Sequence, residues 1–179
     1  FYLDLYARDR KRGGAWMDDC MGRKVRANGE LQTPVAYLVC NFNKAVGDKP
    51  ALFTHNEVTT LFHEFGHGIH HMLTQVDAAP VAGINGVAWD AVELPSQFLE
   101  NWCYEEEALS FISGHYETDE PLPKELLDKL LAAKNFQSGM QMLRQLEFSL
   151  FDFTIHHTYK AGEPCNIQAT LDDVRSKTA

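Results

Sequence analysis

No cysteine pair of the CxxC type occurs in this chain: Cys20, Cys40, Cys103 and Cys165 stand far apart among 179 residues. A thiolate zinc site and a dithiol redox motif are therefore without support. A chain of this length needs no disulfide framework, so reduced, mostly buried thiols in a cytoplasmic protein are expected. Basic residues are equally sparse. Their longest run is the short Arg8–Arg12 cluster, read as a solvated turn, against a net charge of −9. A surface of that sign repels phosphate backbones and anionic lipid, so neither nucleic acid nor a membrane surface is an expected partner. No apolar run approaches membrane-spanning length. An initiator methionine is also missing, FYLDLYARD at the start already alternates like a strand, and TLDDVRSKTA at the end reads like the opening of a helix that never develops. The expectation is a piece of a longer protein.

What is there is an ordinary globular composition, 45% hydrophobic and 23% charged, enough for one core and one domain. Residues 1–50 read as β-rich. Phe1, Leu3 and Leu5 alternate with Tyr2, Asp4 and Tyr6, a period-two strand signal. Asn28-Gly29 suits a tight hairpin turn with positive φ, and TPVAYLVCNF, residues 33–42, reads as a strand. Gly47 to Pro50 is a loop. Helical signals dominate from residue 54 onward. Thr54 and Glu57 have capping-box spacing. Val58, Leu61, Phe62, Phe65, Ile69, Met72, Leu73 and Val76 follow on one face, so the spacing predicts a helix over 54–76. Residues 77–89 form a Gly/Ala-rich loop. A second helix is expected near Asp90 as its cap, with Glu93 at the third helical position and Pro95 bending it or delaying its start. EPLPKELLDKLLAAKNFQ opens another helical stretch, and GMQMLRQLEFSLFDFTIHHTY continues it or forms a new helix, with a break near Ser138-Gly139. The outline is an α+β chain, mostly helical, with a small N-terminal β unit: β-rich 1–50, helical 54–179.

The chemistry centres on His63-Glu64-Phe65-Gly66-His67, an HExxH motif. Histidines four apart project from one helical face and can reach a single Zn²⁺, with the glutamate between them turned toward a water on that ion. Chance alone yields this string about two to three per cent of the time in such a chain, so position matters. It sits mid-helix behind a good cap, with both histidines roughly opposite the apolar stripe, which is expected to face the core. Catalytic zinc takes three protein ligands and a water. Glu93 is the best third candidate, 26 positions after His67 and across a loop. Glu93, Gln97 and Glu100 share a helical face, so Gln97 or Glu100 could orient a ligand histidine. His70 lies on the side of His67, but a fourth protein ligand would block the open position. His55, His71 and His115 are expected at the surface or at caps.

HEFGHGIHH followed by WDAVELPSQFLENW resembles the thimet oligopeptidase and oligopeptidase A family of zincins. YLDLY, ISGHYETDEPLPKELLDKLLAAKNF and RQLEFSLFDF extend the resemblance over nearly the whole chain. HExxH is shared by many zincins, whereas ELPSQFLENW is specific to this family. The resemblance implies a zincin-like catalytic region and residues 1–179 as part of a single metallopeptidase domain. It implies His63, His67 and Glu93 as ligands of one zinc, Glu64 as general base, and short peptides as substrates of a cytoplasmic, monomeric endopeptidase. The family's downstream segment rich in Gly and Tyr has no match here: His156, His157 and Tyr159 read as helix residues. A folded zinc-binding module without competent catalysis is the alternative for this chain. The strand within 34–42 is expected to pair with an extended peptide.

Overall fold

The computed structural model describes residues 1–178. The chain is mixed α and β, with a three-stranded sheet and a two-stranded hairpin among the described residues, and it divides into two compact units, Phe1–Pro123 and the residues from Lys124 onward. The first unit holds every strand among the described residues. β1 (Tyr2–Tyr6), β2 (Trp16–Met21) and β5 (Val35–Phe42) form a three-stranded sheet in the order β1-β5-β2. β1 runs parallel to β5, with Tyr2 opposite Tyr37, and β2 runs antiparallel, with Met17 opposite Leu38. β3 (Lys24–Val25) and β4 (Leu31–Gln32) make a separate hairpin. Its turn has Gly29 at φ 84°, and Asn28 Oδ1 accepts from the Glu30 amide at 3.1 Å. Asn28-Gly29 thus turns the chain as its residue types require.

The order of the sheet corrects one expectation. β5 is the central strand, and both its edges are already hydrogen-bonded. It has no free ladder to offer an extended peptide; β1 and β2 are the edges. Its residues Leu38, Val39 and Cys40 are buried in succession, so both of its faces are covered.

α1 (His55–Met72) packs on β5. It starts as its sequence dictates: Thr54 Oγ1 accepts from the Glu57 amide, and Glu57 Oε2 accepts from the Thr54 amide at 2.8 Å, a reciprocal cap worth about 0.5–2 kcal/mol. It stops four residues earlier than its apolar periodicity predicts. The Leu73 amide still reaches Ile69 O, but Thr74 Oγ1 then accepts from the Val76 amide at 3.3 Å and turns the chain off the axis. The buried face of α1 also differs from expectation. It consists of Glu64, His67, Gly68 and His71, with Gly66 beside them, while the apolar stripe is only half-buried. At position 68 an added Cβ would meet the Leu38 side chain of β5, Cδ2 at 3.0 Å.

His71 is fully buried, not at the surface. Its Nε2 lies 2.9 Å from Met21 O, and its Nδ1 accepts from the Ile84 amide at 3.4 Å. With Nδ1 accepting, Nε2 carries the hydrogen and donates to Met21 O, so a neutral ring ties α1 to the end of β2 and to the following loop. Asn85 Nδ2 donates to Asp19 Oδ2, and Arg23 pairs with Asp77 at 2.7 Å, holding the same loop to the sheet. That loop contains a 3₁₀ turn, Ala79–Val81. α2 (Leu94–Glu100) follows, then a second 3₁₀ turn at Asn101–Tyr104 and α3 (Glu106–Ile112), a helix without a strong sequence signal. His55 Nε2 meets Cys103 O at 2.7 Å, and exposed His115 accepts within its own turn.

The second unit contains α4 (Lys124–Lys134), α5 (Ser138–Thr158) and α6 (Ile167–Thr178). α4 and α5 are separate helices because Gln137 adopts φ 54° between them. The C-terminal stretch is a helix of 12 residues, longer than the incipient turn expected, and it packs on α5. The buried Glu147 accepts from Arg144 at 2.8 Å and from Arg175 of α6 at 2.9 Å.

Two outcomes follow. Gly83 has φ +63°, and a Cβ there would lie 2.5 Å from His71 Nδ1 and 2.9 Å from His71 Cα. Gly83→Ala is therefore expected to destabilise the first unit by about 1–3 kcal/mol, read as a lower denaturant midpoint; an unchanged midpoint would refute the packing role of this glycine. The guanidinium groups of Arg175 and Arg144 hold the Glu147 carboxyl below its ordinary 4.5. A depressed folded-state pKa stabilises the fold at pH values above that of the unfolded group, and this is lost as pH falls below about 4.5. Glu147→Gln should remove that pH dependence; identical acid-unfolding profiles would contradict it.

Candidate metal centre

His63 and His67 stand one turn apart on α1, with their rings 5.0 Å apart between centroids and nearly perpendicular at 84°. Glu93 comes from the far side of the 77–89 loop. It occupies the N-cap of α2, not the third helical position. Pro95 explains the delay: with no N–H to give and a fixed φ, it is tolerated only in the first helical turn, so α2 begins at Leu94. The N-cap position turns the Glu93 carboxylate back toward α1. Its Oε2 lies 3.2 Å from His63 Nε2 and 3.1 Å from His67 Nε2. One ligand atom from each of the three residues lies within 4.8 Å of the others.

Glycine makes this approach possible. A Cβ on Gly66 would sit 2.6 Å from both Pro95 O and Ser96 Cα. Those are backbone atoms, so no rotamer change could clear them. α2 lies directly on the helix that carries the histidines because position 66 has no side chain.

The surrounding groups define the protonation pattern. His63 Nδ1 lies 2.6 Å from Glu100 Oε1. With the carboxylate accepting, Nδ1 holds the hydrogen, and Nε2 is the nitrogen turned toward Glu93. Of the two residues that the helical spacing offers for this contact, Glu100 makes it and Gln97 is exposed. Burial lowers the pKa of His67 despite the nearby Glu93 charge, which favours the neutral ring; its Nδ1 is buried without a hydrogen-bond partner among the described residues. Burial alone would raise Glu93, but the Ser96 hydroxyl and the two imidazoles outweigh it and hold the carboxyl below its ordinary value. Two imidazole nitrogens and a carboxylate oxygen therefore converge, a set that a shared hydrogen or a cation among them satisfies. Separations of 3.1 and 3.2 Å are close to the ~3.3 Å edge of a tetrahedron with zinc–ligand bonds of 2.0–2.1 Å. The donor set fits a divalent metal.

Glu64 lies between the histidines and is 5% exposed. Desolvation raises its pKa, the Glu93 charge adds to this and His63 opposes it. Cys40 is not part of the cluster; burial pushes its thiol up to about 11, far from thiolate ligand chemistry. His70 is likewise outside it, with its Nδ1 buried and without a hydrogen-bond partner among the described residues. His156 and His157 lie on α5, as helix residues. Ser96 joins the centre without a strong signal in the sequence. It is completely buried, and its hydroxyl lies 2.7 Å from Glu93 Oε2 and 3.0 Å from Glu93 O. The i, i+3 spacing of Glu93 and Ser96 was the available signal, but burial is what distinguishes this serine from an ordinary helix-start residue.

Peptidase family M3 matches residues 1–179, and the chain belongs to that family. It is 72% identical over 179 residues to Oligopeptidase A of Haemophilus influenzae and 66% identical over the same length to Oligopeptidase A of Escherichia coli, in each case over 100% of this chain and 26% of the relative. Saccharolysin of Saccharomyces cerevisiae is 41% identical over 174 residues, 97% of this chain and 24% of that protein. The chain thus spans about a quarter of the length of these relatives.

The packing generates a paired test. Gly66→Ala gains about 1 kcal/mol of helix propensity, but a backbone clash at 2.6 Å should exceed that and displace α2. Gly68→Ala meets only the end of a leucine side chain, at 3.0 Å. Divalent-metal affinity is expected to fall more than tenfold in Gly66→Ala and to stay within about threefold in Gly68→Ala. Equal effects, measured by competition with a chelator, would rule out the contact as what positions Glu93.

Proposed function

We propose that this chain carries the catalytic centre of a zinc-dependent oligopeptidase, with His63, His67 and Glu93 holding one Zn²⁺ and Glu64 acting as general base. The observation that carries the reading is the clustering of His63, His67 and Glu93, whose ligand atoms lie within 4.8 Å of one another, with Glu93 Oε2 3.2 and 3.1 Å from the two Nε2 atoms. Two imidazoles and one carboxylate are a donor set of catalytic zinc, which keeps a further position open. An HExxH helix packed on a small sheet supports a zincin-like fold. Membership of peptidase family M3 supports peptide-bond hydrolysis, and the name Oligopeptidase A carried by two of the relatives supports short peptides as substrates.

The ion would supply Lewis acidity, acidifying a water to near neutrality and polarising the scissile carbonyl. The protein's own groups do the rest. Glu64, between the two histidines in sequence and outside the ligand set, takes the proton of the attacking water and delivers it to the leaving amine as the C–N bond breaks. Its desolvated carboxyl, raised above the usual range, is a stronger base than a surface glutamate. Glu100 holds the His63 ring by its Nδ1–H, keeping Nε2 free for the metal. A net charge of −9 argues against nucleic acid and anionic membrane as partners, and no helix among the described residues is long and apolar enough to cross a membrane. Four unpaired cysteines suit a reducing, cytoplasmic setting. We take the protein to act as a monomer, with both compact units belonging to one catalytic domain.

Glu64→Gln is the direct test. One zinc per chain should remain, while turnover of a short internally quenched peptide falls about 10²–10⁴-fold. Near-normal turnover would refute the general-base role, and zinc binding without any turnover in the unmutated protein would favour a zinc-binding module.

A further inference from the structure

A glutamate on the N-cap of a short helix is a loose ligand. Glu93 has three rotatable side-chain bonds, its side chain is 48% exposed, and α2 has only 7 residues. Left alone, such a carboxylate would spread over many rotamers in water, and a metal would have to order it on binding. One group stands against this. The Ser96 hydroxyl, completely buried, lies 2.7 Å from Glu93 Oε2, the same oxygen that faces both histidines. Serines inside helices usually give their hydrogen to a backbone carbonyl one turn earlier. Ser96 also lies 3.0 Å from Glu93 O, but a hydroxyl has one hydrogen, and the shorter contact is to the charged acceptor. Burial keeps water from competing for it. The backbone beneath Ser96 is itself fixed, pressed against Gly66 of α1.

We infer that Ser96 is a positioning residue for the metal centre, tethering the ligand oxygen of Glu93 in the place where both imidazoles can share a cation with it. α2 then carries the ligand, its tether and the partner of His63 at positions 93, 96 and 100, so one short helix sets two of the three ligands. The inference rests on the metal-centre reading above, and its test separates the two. Zinc affinity is measured by competition with a chromophoric chelator for the unmutated protein, Ser96→Ala and Glu93→Gln. The ligand-field absorption of the Co²⁺ forms and the thermal midpoints of the metal-free proteins accompany it. Ser96→Ala removes one oxygen and adds no bulk. Its zinc affinity is expected to fall about 10–100-fold, its Co²⁺ spectrum to change, and its metal-free melting point to stay close to that of the unmutated protein. Unaltered affinity in Ser96→Ala, with affinity lost in Glu93→Gln, would overturn the inference and leave the metal centre standing. A weakened affinity that merely follows a lower melting point, with the Co²⁺ spectrum unmoved, would also overturn it, by showing a packing role. If Glu93→Gln binds zinc as well as the unmutated protein, the metal-centre reading fails, and the role of Ser96 with it.

Discussion

Gly66 lies against the backbone of Pro95 and Ser96 so closely that a single added carbon would sit 2.6 Å from two of their atoms. Every distance at the centre depends on this approach. It brings the N-terminus of α2 over the face of α1 that carries His63 and His67, and it sets Glu93 Oε2 within 3.2 Å of both rings. It also places Glu100, further along α2, against the outer nitrogen of His63. The motif supplies two histidines and a glutamate at the right helical phase, and the glycine between them lets the third ligand reach them.

The electrostatics of the centre follow from the same packing. His67 and Glu64 are buried beside a half-exposed Glu93. Desolvation lowers the pKa of the His67 ring and raises that of the Glu64 carboxyl, while Glu93, against its own desolvation, is held down by its hydroxyl and imidazole neighbours. Two ring nitrogens and an acceptor carboxylate face one another, with the Nδ1 edge of His63 turned away toward Glu100. Such a donor set is well satisfied by a cation.

Around the centre, the fold spends polar groups on holding α1 in place. His71, fully buried, joins the end of β2 to the loop that leads to Glu93. Asn85 with Asp19 and Arg23 with Asp77 fasten that loop again. The small sheet is thus the support from which the loop and α2 are aimed. With β5 in its middle, its exposed ladders belong to β1 and β2.

Local features were legible in the residues themselves. The Thr54–Glu57 cap, the Asn28-Gly29 turn, the strand at 35–42 and the phase of His63, Glu64 and His67 depend on neighbours within a few positions, and elementary backbone and side-chain preferences determine them. Glu93 was identifiable as a candidate from its spacing and from the run that follows it, but its place on α2 was off by a turn because the proline's effect on the helix start outweighed the apparent cap at Asp90. What only the tertiary structure decided is which groups are buried and what they meet. The apolar stripe of α1 gave way to a face of small and polar residues because α1 is pressed closely against β5 and α2. Likewise His71 became an interior tie, Glu100 rather than Gln97 took His63, and Ser96 acquired its carboxylate partner. Each of these depends on contacts between segments distant in sequence or on burial that such contacts create, and no local preference encodes them.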